Sequence, residues 1–439
     1  MSGQDNLFEH AKTVLAENDC GEFTRPAPEL YPHQWLWDSC FIAIGLRHLD
    51  TNRAQKEILS LFRGQWANGL LPHMVFTSSN KPMTHQDVWQ SWLNPLSPDD
   101  VTTSGITQPP LLAEAIVRIG EKLPLTERRT WYHQVWPNLL KYHEWLYTER
   151  DPHGEGLVLV VHPWETGLDS TPPWMHELSQ RLPWWIKLLH KTHLDSLVSL
   201  LRTDTRHVPA EQRMLNVEVL ALGHSMLRLR RQSYDINKIL NHGLLTVEDL
   251  NFNAILIRAN THLKEIAKTL RQELPEELVE RMTLTEQALE ELWDPYTEQY
   301  YSRDFETHKL LKEPSIATLL PLYGGSISQD HAAKLVTKLE NDHVFGTPFP
   351  VPSVPLDSSW FNPERYWQGP SWVNINWLII DGLKRYGFDD HAAALRDSTL
   401  EMVSHTGFFE YFHPLTGAGL GAVNFSWTAA LVIDLLKDK

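Results

Sequence analysis

Residues 366–386 read Tyr-Trp-Gln-Gly-Pro-Ser-Trp-Val-Asn-Ile-Asn-Trp-Leu-Ile-Ile-Asp-Gly-Leu-Lys-Arg-Tyr, an aromatic turn running directly into a helix. From Trp372 to Tyr386 apolar side chains recur three or four residues apart, which puts them on one helical face, and Gly387 stands where a C-terminal cap belongs. The same period runs through 53–63, 111–120, 131–148, 194–201, 214–230, 247–270, 276–293, 331–339, 391–403 and 425–436. Thr51-Asn52, Thr126 and Ser328-Gln329-Asp330 supply start signals, and Gly120 reads as a second C-terminal cap. Only 157–161 has the β-rich character of a strand.

About a dozen helices joined by loops rich in Pro, Gly and Trp, with no short fixed repeat and no low-complexity linker, predict one all-α domain over 1–439. Helix pairs of varying length fit a double-layered α/α toroid better than a solenoid. The segment 180–242 has few tight aromatic turns and reads as a helical insertion or cap.

Thirty-nine basic against 55 acidic residues leave a net charge of −16, which repels nucleic acid phosphates and anionic lipids. A polyanionic substrate is disfavoured for the same reason, though a single carboxylate held by a local Arg is not. The opening residues Met1 to His10 lack an apolar core, and no run of about 18 apolar residues occurs. Cys20 and Cys40 form no Cys-x-x-Cys pair. These features predict a cytoplasmic protein with reduced thiols, and they leave both a Cys20–Cys40 bridge and homo-oligomerisation open.

Trp (18) outnumbers Phe (15) and Tyr (12), and it clusters beside acids and turns. Residues 35–38 read Trp-Leu-Trp-Asp, residues 163–174 read Pro-Trp-Glu-Thr-Gly-Leu-Asp-Ser-Thr-Pro-Pro-Trp, and residues 407–412 read Gly-Phe-Phe-Glu-Tyr-Phe. Any single Trp is adequately explained as core. Four such clusters fit a small-molecule partner with flat C–H faces and a hydroxyl rim, which is the surface of a pyranose. Walker, nucleophile-elbow and zinc-helix motifs are absent, the 22 histidines show no metal-ligand spacing, and Gly417-Ala-Gly-Leu-Gly421 has the wrong spacing for a dinucleotide loop. No metal or organic cofactor is signalled.

Carboxylates remain as the reactive groups, and glycoside hydrolysis needs two. Asp169 lies in a turn between Trp164 and Trp174, which could desolvate it and raise its pKa; it reads equally as a helix N-cap, with Glu165 as a competitor. Glu410 sits in an aromatic run, where burying a carboxylate is costly without a purpose; the alternative is a strand with Glu410 facing solvent. Asp38 reads either as a bidentate holder of two sugar hydroxyls or as a cap.

At these residues the chain resembles glycoside hydrolase family 63, in particular its short members that act on mannosylglycerate and glucosylglycerate. The resemblance spans nearly the whole chain and rests on Tyr31-Pro-His-Gln-Trp-Leu-Trp-Asp-Ser-Cys40, His162-Pro-Trp-Glu-Thr-Gly-Leu-Asp169, Tyr366-Trp-Gln-Gly-Pro-Ser-Trp372 and the Glu410 segment. The Trp-Asp-Ser and Tyr-Trp-x-Gly-Pro pieces are similar to trehalases as well, and the Glu-Thr-Gly-Leu-Asp turn narrows the match. The resemblance implies an (α/α)6 barrel and an inverting α-glycosidase, with Asp169 as general acid and Glu410 as general base. It also implies sugar contacts at Tyr31, Trp35, Leu36, Trp37, Asp38, Gln108, Gly167, Tyr366 and Trp367. An Arg gripping the glycerate carboxylate maps near 208–213, with Arg213 preferred to Arg206. The chain departs from the family at 77–85, where Thr-Ser-Ser-Asn-Lys-Pro-Met-Thr-His replaces a loop bearing Tyr and Gly, and this bears on the acceptor. The expected activity is hydrolysis of a small sugar–organic acid conjugate to free sugar and glycerate. The rivals are an α-glucosidase for neutral oligosaccharides or trehalose, and a catalytically silent sugar-binding toroid.

Overall fold

The structure is a computed structural model and describes residues 3–77, 85–200 and 202–437. Six inner elements form a closed ring: Leu36–Leu46, Leu112–Glu121, Leu250–Leu270, the short Ile316–Leu319 and Pro321–Gly324 taken together, Val373–Arg385 and Ser426–Lys437. Each packs on the next, and Ser426–Lys437 returns onto Leu36–Leu46 to close the circle. The closing contact needs a glycine. A Cβ on Gly45 would lie 2.4 Å from the Ala430 backbone, so only Gly45 allows the first and last inner helices to touch.

Outer helices alternate with the inner ones along the chain: Gly3–Glu17, Thr51–Phe62, Leu125–Glu149, Glu276–Ala288, Gln329–Glu340 and Asp389–Thr406. They turn one apolar stripe inward and a polar face out, as a half-exposed helix must. The result is the predicted all-α (α/α)6 toroid, with its apolar core between the layers.

Local differences from the sequence reading have physical causes. Residues 157–161 are buried but form no strand, and only Val160 pairs, as an isolated bridge with Val247. Their backbone is satisfied partly by side chains, Asn253 accepting from Val158 N–H and donating to its carbonyl, so the run is apolar because it is covered. Gly120 does not cap. It lies inside Leu112–Glu121, where a Cβ would strike the Tyr132 ring at 2.6 Å. Helix starts also move: Asp50, not Thr51 or Asn52, caps Thr51–Phe62 by accepting from Asn52 and Arg53 N–H groups, and Pro124 precedes Leu125–Glu149. The described residues of 180–242 include the helices Trp184–Lys191, Asn216–Arg231 and Ile236–Asn241, with three 3-10 turns between the first two. The stretch 77–85 lies, apart from its two ends, outside the described residues.

Candidate active site

Inner helices point their N-terminal ends at one cavity. Trp37 and Asp38 stand in the first turn of Leu36–Leu46, Gln108 lies just ahead of Leu112–Glu121, Tyr366 and Trp367 precede Val373–Arg385, and Phe425 and Trp427 flank the start of Ser426–Lys437. Tyr31, Trp35, Gly167, Asp169 and Glu410 complete the wall with Pro26, around about 400 Å³ of empty space that includes open solvent. Helix N-termini carry partial positive charge, which favours placing the carboxylates Asp38, Asp169 and Glu410 there.

Asp169 is delivered by a tight turn. The 3-10 helix Pro163–Thr166 ends at Gly167 with φ 73°, and a Cβ there would meet the Trp37 indole at 2.5 Å, so the position requires glycine twice over. The N-cap of Pro172–Gln180 is Thr171, so Asp169 is free of capping duty. Its Oδ2 accepts from the Tyr366 hydroxyl at 3.1 Å. Burial pushes its pKa up to about 7; the Tyr366 hydrogen bond and Arg213 oppose the rise and Glu410 adds to it. The desolvating walls are not the ones expected from sequence. Trp174 is buried in the core and Trp164 stacks on His73, while Trp37 and Trp367 stand in the cavity wall instead.

Glu165 is a brace. Arg150 grips it bidentately at 3.0 and 2.7 Å, and it also accepts from the N–H groups of Thr107 and Val161. It therefore fixes the approach to Gln108 and to its own turn, and it does not line the cavity.

Glu410 belongs to a strand, as its sequence allowed, but faces inward and is 2% exposed. Its strand Phe409–Phe412 pairs with Gly419–Val423. Oε1 accepts from the Tyr31 hydroxyl at 2.7 Å and Oε2 from Ala422 N–H at 3.0 Å, and Arg213 Nη1 lies 3.4 and 3.3 Å from the two oxygens. Asp38 lines the cavity in the first helical turn; the N-cap is Trp35. Its carboxyl is held well above the usual range by burial, with further contributions from the negative Glu410, Asp169 and Glu57.

Aromatics complete the walls. Trp367 stacks on Trp372 with centroids 3.7 Å apart and is buttressed at 6.5 Å by Trp37. Gln108 accepts from Trp37 N–H at 3.2 Å, which leaves its NH2 to offer a ligand. Two expected contacts sit back from the wall. Leu36 is packed in the core, and Arg213 lies behind Glu410, Tyr31 and Tyr366, its guanidinium 4.3 Å from the Tyr366 ring centroid. Arg206 is exposed. Pro26, Phe425 and Trp427 were missed, although the pair Phe425-x-Trp427 at a helix start repeats the Trp35-x-Trp37 arrangement. Among the described residues no group of three or more His, Cys, Asp or Glu is placed to hold a metal ion, and no helix is long and apolar enough to cross a membrane.

A helical toroid with the half-buried Asp169 and the buried Asp38 and Glu410 facing one aromatic cavity fits a glycoside hydrolase. Residues 31–428 match the family model of the mannosylglycerate hydrolase MGH1-like glycoside hydrolase domain, and the chain belongs to that family, within glycoside hydrolase family 63. It is 40% identical to a mannosylglycerate hydrolase of Thermus thermophilus, over 96% of this chain and 99% of that protein. Similarity to a glucosylglycerate hydrolase of Mycolicibacterium hassiacum is 32% identity over 98% of this chain and 97% of the relative. A crystal structure of the family 63 mannosylglycerate hydrolase from Thermus thermophilus, in complex with Tris and D-glycerate, superposes with a TM-score of 0.87 at 38% identity, covering 98% of this chain and 99% of that one.

Proposed function

We propose that this glycoside hydrolase cleaves an α-linked sugar–glycerate conjugate, glucosylglycerate or mannosylglycerate, with inversion at the anomeric carbon. Asp169 protonates the glycosidic oxygen and Glu410 activates water on the opposite face of the sugar. The observation that carries the reading is that Asp169 and Glu410 line one cavity, with desolvation pushing the Asp169 pKa up to about 7. The substrate class is supported by relatives of both names that align over almost the whole chain, and by the D-glycerate in the similar crystal structure. Stacking on Trp367 and Trp37, and hydrogen bonds to Asp38 and the Gln108 amide, hold the sugar. Arg213 is the cation for the glycerate carboxylate. The free thiols of Cys20 and Cys40 support a cytoplasmic location.

Proton NMR in the first minutes of reaction with α-linked glucosylglycerate and mannosylglycerate tests this reading. Free β-anomer should form before mutarotation sets in. An initial α-anomer signal, or no release from either conjugate, overturns it.

A further inference from the structure

The hairpin that carries Glu410 is irregular at Glu410. Phe409 faces Val423 and Tyr411 faces Leu420, so Gly421 and Ala422 together stand opposite Glu410. A bulge of this kind takes amide groups out of the ladder and re-aims them. Ala422 N–H donates to Glu410 Oε2 at 3.0 Å, and Gly421 N–H donates to the side-chain oxygen of Gln212, also at 3.0 Å. Gly421 has φ 73°, and a Cβ on it would lie 2.7 Å from Glu410 Oε2 and 2.4 Å from the Tyr411 ring. No side chain can pack there to steady the bulge, and Gln212 holds it from outside.

Gln212 ends the 3-10 turn Ala210–Gln212, far from the hairpin in sequence. Its backbone oxygen accepts from the Tyr411 hydroxyl at 2.6 Å and from Tyr366 N–H at 3.1 Å. Tyr366, at φ 33°, is the residue that donates to Asp169. One residue outside the cavity wall thus touches the immediate supports of both acids.

We infer that Gln212 is a positioning residue: its side-chain oxygen holds the Gly421-Ala422 bulge so that Ala422 N–H stays on Glu410, while its backbone oxygen holds Tyr366 against Asp169. The inference rests on the reading of Glu410 as general base. Other groups facing Glu410 are Tyr31, Arg213, Asp38, Asp169, Tyr366 and Tyr411.

Gln212→Met keeps the length and the backbone contacts but removes the oxygen, Gln212→Asn keeps an oxygen that is too short to reach, and Gln212→Glu keeps an acceptor. In Met and Asn variants kcat should fall about tenfold (about 1.4 kcal/mol in barrier). KM for the glycoside should hold within about twofold, because the sugar platform is untouched, so the loss falls on kcat and not on KM. The Glu variant should retain most of the turnover. Unchanged kcat in Met and Asn, a loss carried by KM instead of kcat, or equal losses in all three variants, overturn the inference. Glu410→Gln serves as the control. Near-native turnover in that variant removes the base reading itself, whereas an inactive Glu410→Gln beside a silent Gln212→Met removes only the role of Gln212.

Discussion

The Tyr366 hydroxyl donates to Asp169 Oδ2 at 3.1 Å from a backbone held at φ 33°. A bulky residue in that region costs on the order of 1–3 kcal/mol, which the surroundings must hold in place. Here they do so through Gln212, which accepts the Tyr366 N–H, and through Arg213, which lies over the ring.

Tyr366→Phe is expected to shift the alkaline limb of the pH–rate profile. The hydroxyl stabilises the charged carboxylate, so its removal raises the pKa of Asp169 above about 7 and keeps the acid protonated to higher pH. A rise of about one unit corresponds to a hydrogen bond of about 1.4 kcal/mol. Measuring kcat/KM from pH 5 to 9 decides the matter, and a limb that stays put or moves down refutes the assigned contact.

Asp169→Asn and Glu410→Gln should each lower kcat by at least about 10²-fold, the low end for loss of a general acid or base. Asp169→Asn also has a stability signature. The folded-state pKa lies above that of the unfolded chain, so the wild type loses stability as pH rises from about 4 towards 7, and Asn does not titrate. The melting temperature of the variant relative to wild type should therefore climb across that window and level off above it. A pH-independent difference contradicts the raised pKa.

What could be read from the chain follows how each element meets water. Outer helices other than Gly3–Glu17 show an apolar stripe at a 3.6-residue period, so their sequence betrays them, and the inner Val373–Arg385 shows one too because its C-terminal end reaches water at Lys384 and Arg385. Leu36–Leu46 is buried on every side, leaving no stripe to find, and it was legible only through the aromatic pattern and the family resemblance. Asp169 could be placed in its turn because Gly167 and Thr-Pro-Pro punctuate the chain. The inward direction of Glu410 was not decidable, since a one-residue bulge reverses which face a side chain takes and leaves little trace in the residue order. Contacts such as Gln212 to Gly421 join residues about 200 apart and carry no local signal at all.

The inner helices Leu112–Glu121, Leu250–Leu270 and Pro321–Gly324 hold a buried ionic cluster between them. Glu114 accepts from Arg118 at 2.7 Å and from Tyr323 at 3.1 Å, with His262 and Arg258 on the same carboxylate. His262 leads the charges that hold Glu114 well below the usual range despite its burial. Its contribution is therefore present above the ordinary carboxylate range and lost as pH falls through the lowered value. Glu114→Gln takes the carboxylate from Arg258 and His262, while Arg118 keeps Asp381 at 3.0 Å, and should cost about 3–5 kcal/mol at neutral pH, as breaking a buried pair does. Chemical denaturation at pH 7 measures this; a cost under about 1 kcal/mol would show that the cluster is already relaxed.

Arg213 is the cation proposed above for the acceptor carboxylate. No Lys or Arg among the described residues lines the cavity, and Arg213 already serves Glu410, Tyr31 and Asp204 from behind it. On the glycerate reading, the substrate carboxylate would share or draw forward the Arg213 guanidinium, in a protein whose overall charge of −16 repels anions. A hydrogen bond to a charged group contributes about 1.5–3 kcal/mol, roughly ten- to a hundredfold in preference. Glucosylglycerate or mannosylglycerate should accordingly be cleaved at least about tenfold better than its uncharged glycerol counterpart. Arg213→Ala should lower kcat/KM on both substrates, because Glu410 loses a partner, but lower it more on the charged one and bring the ratio near unity. Arg213→Lys should recover charge without the planar two-bond grip and restore only part of the preference. Equal wild-type rates on the charged and uncharged glycosides would remove glycerate as the acceptor and leave a neutral α-glucoside as the better substrate.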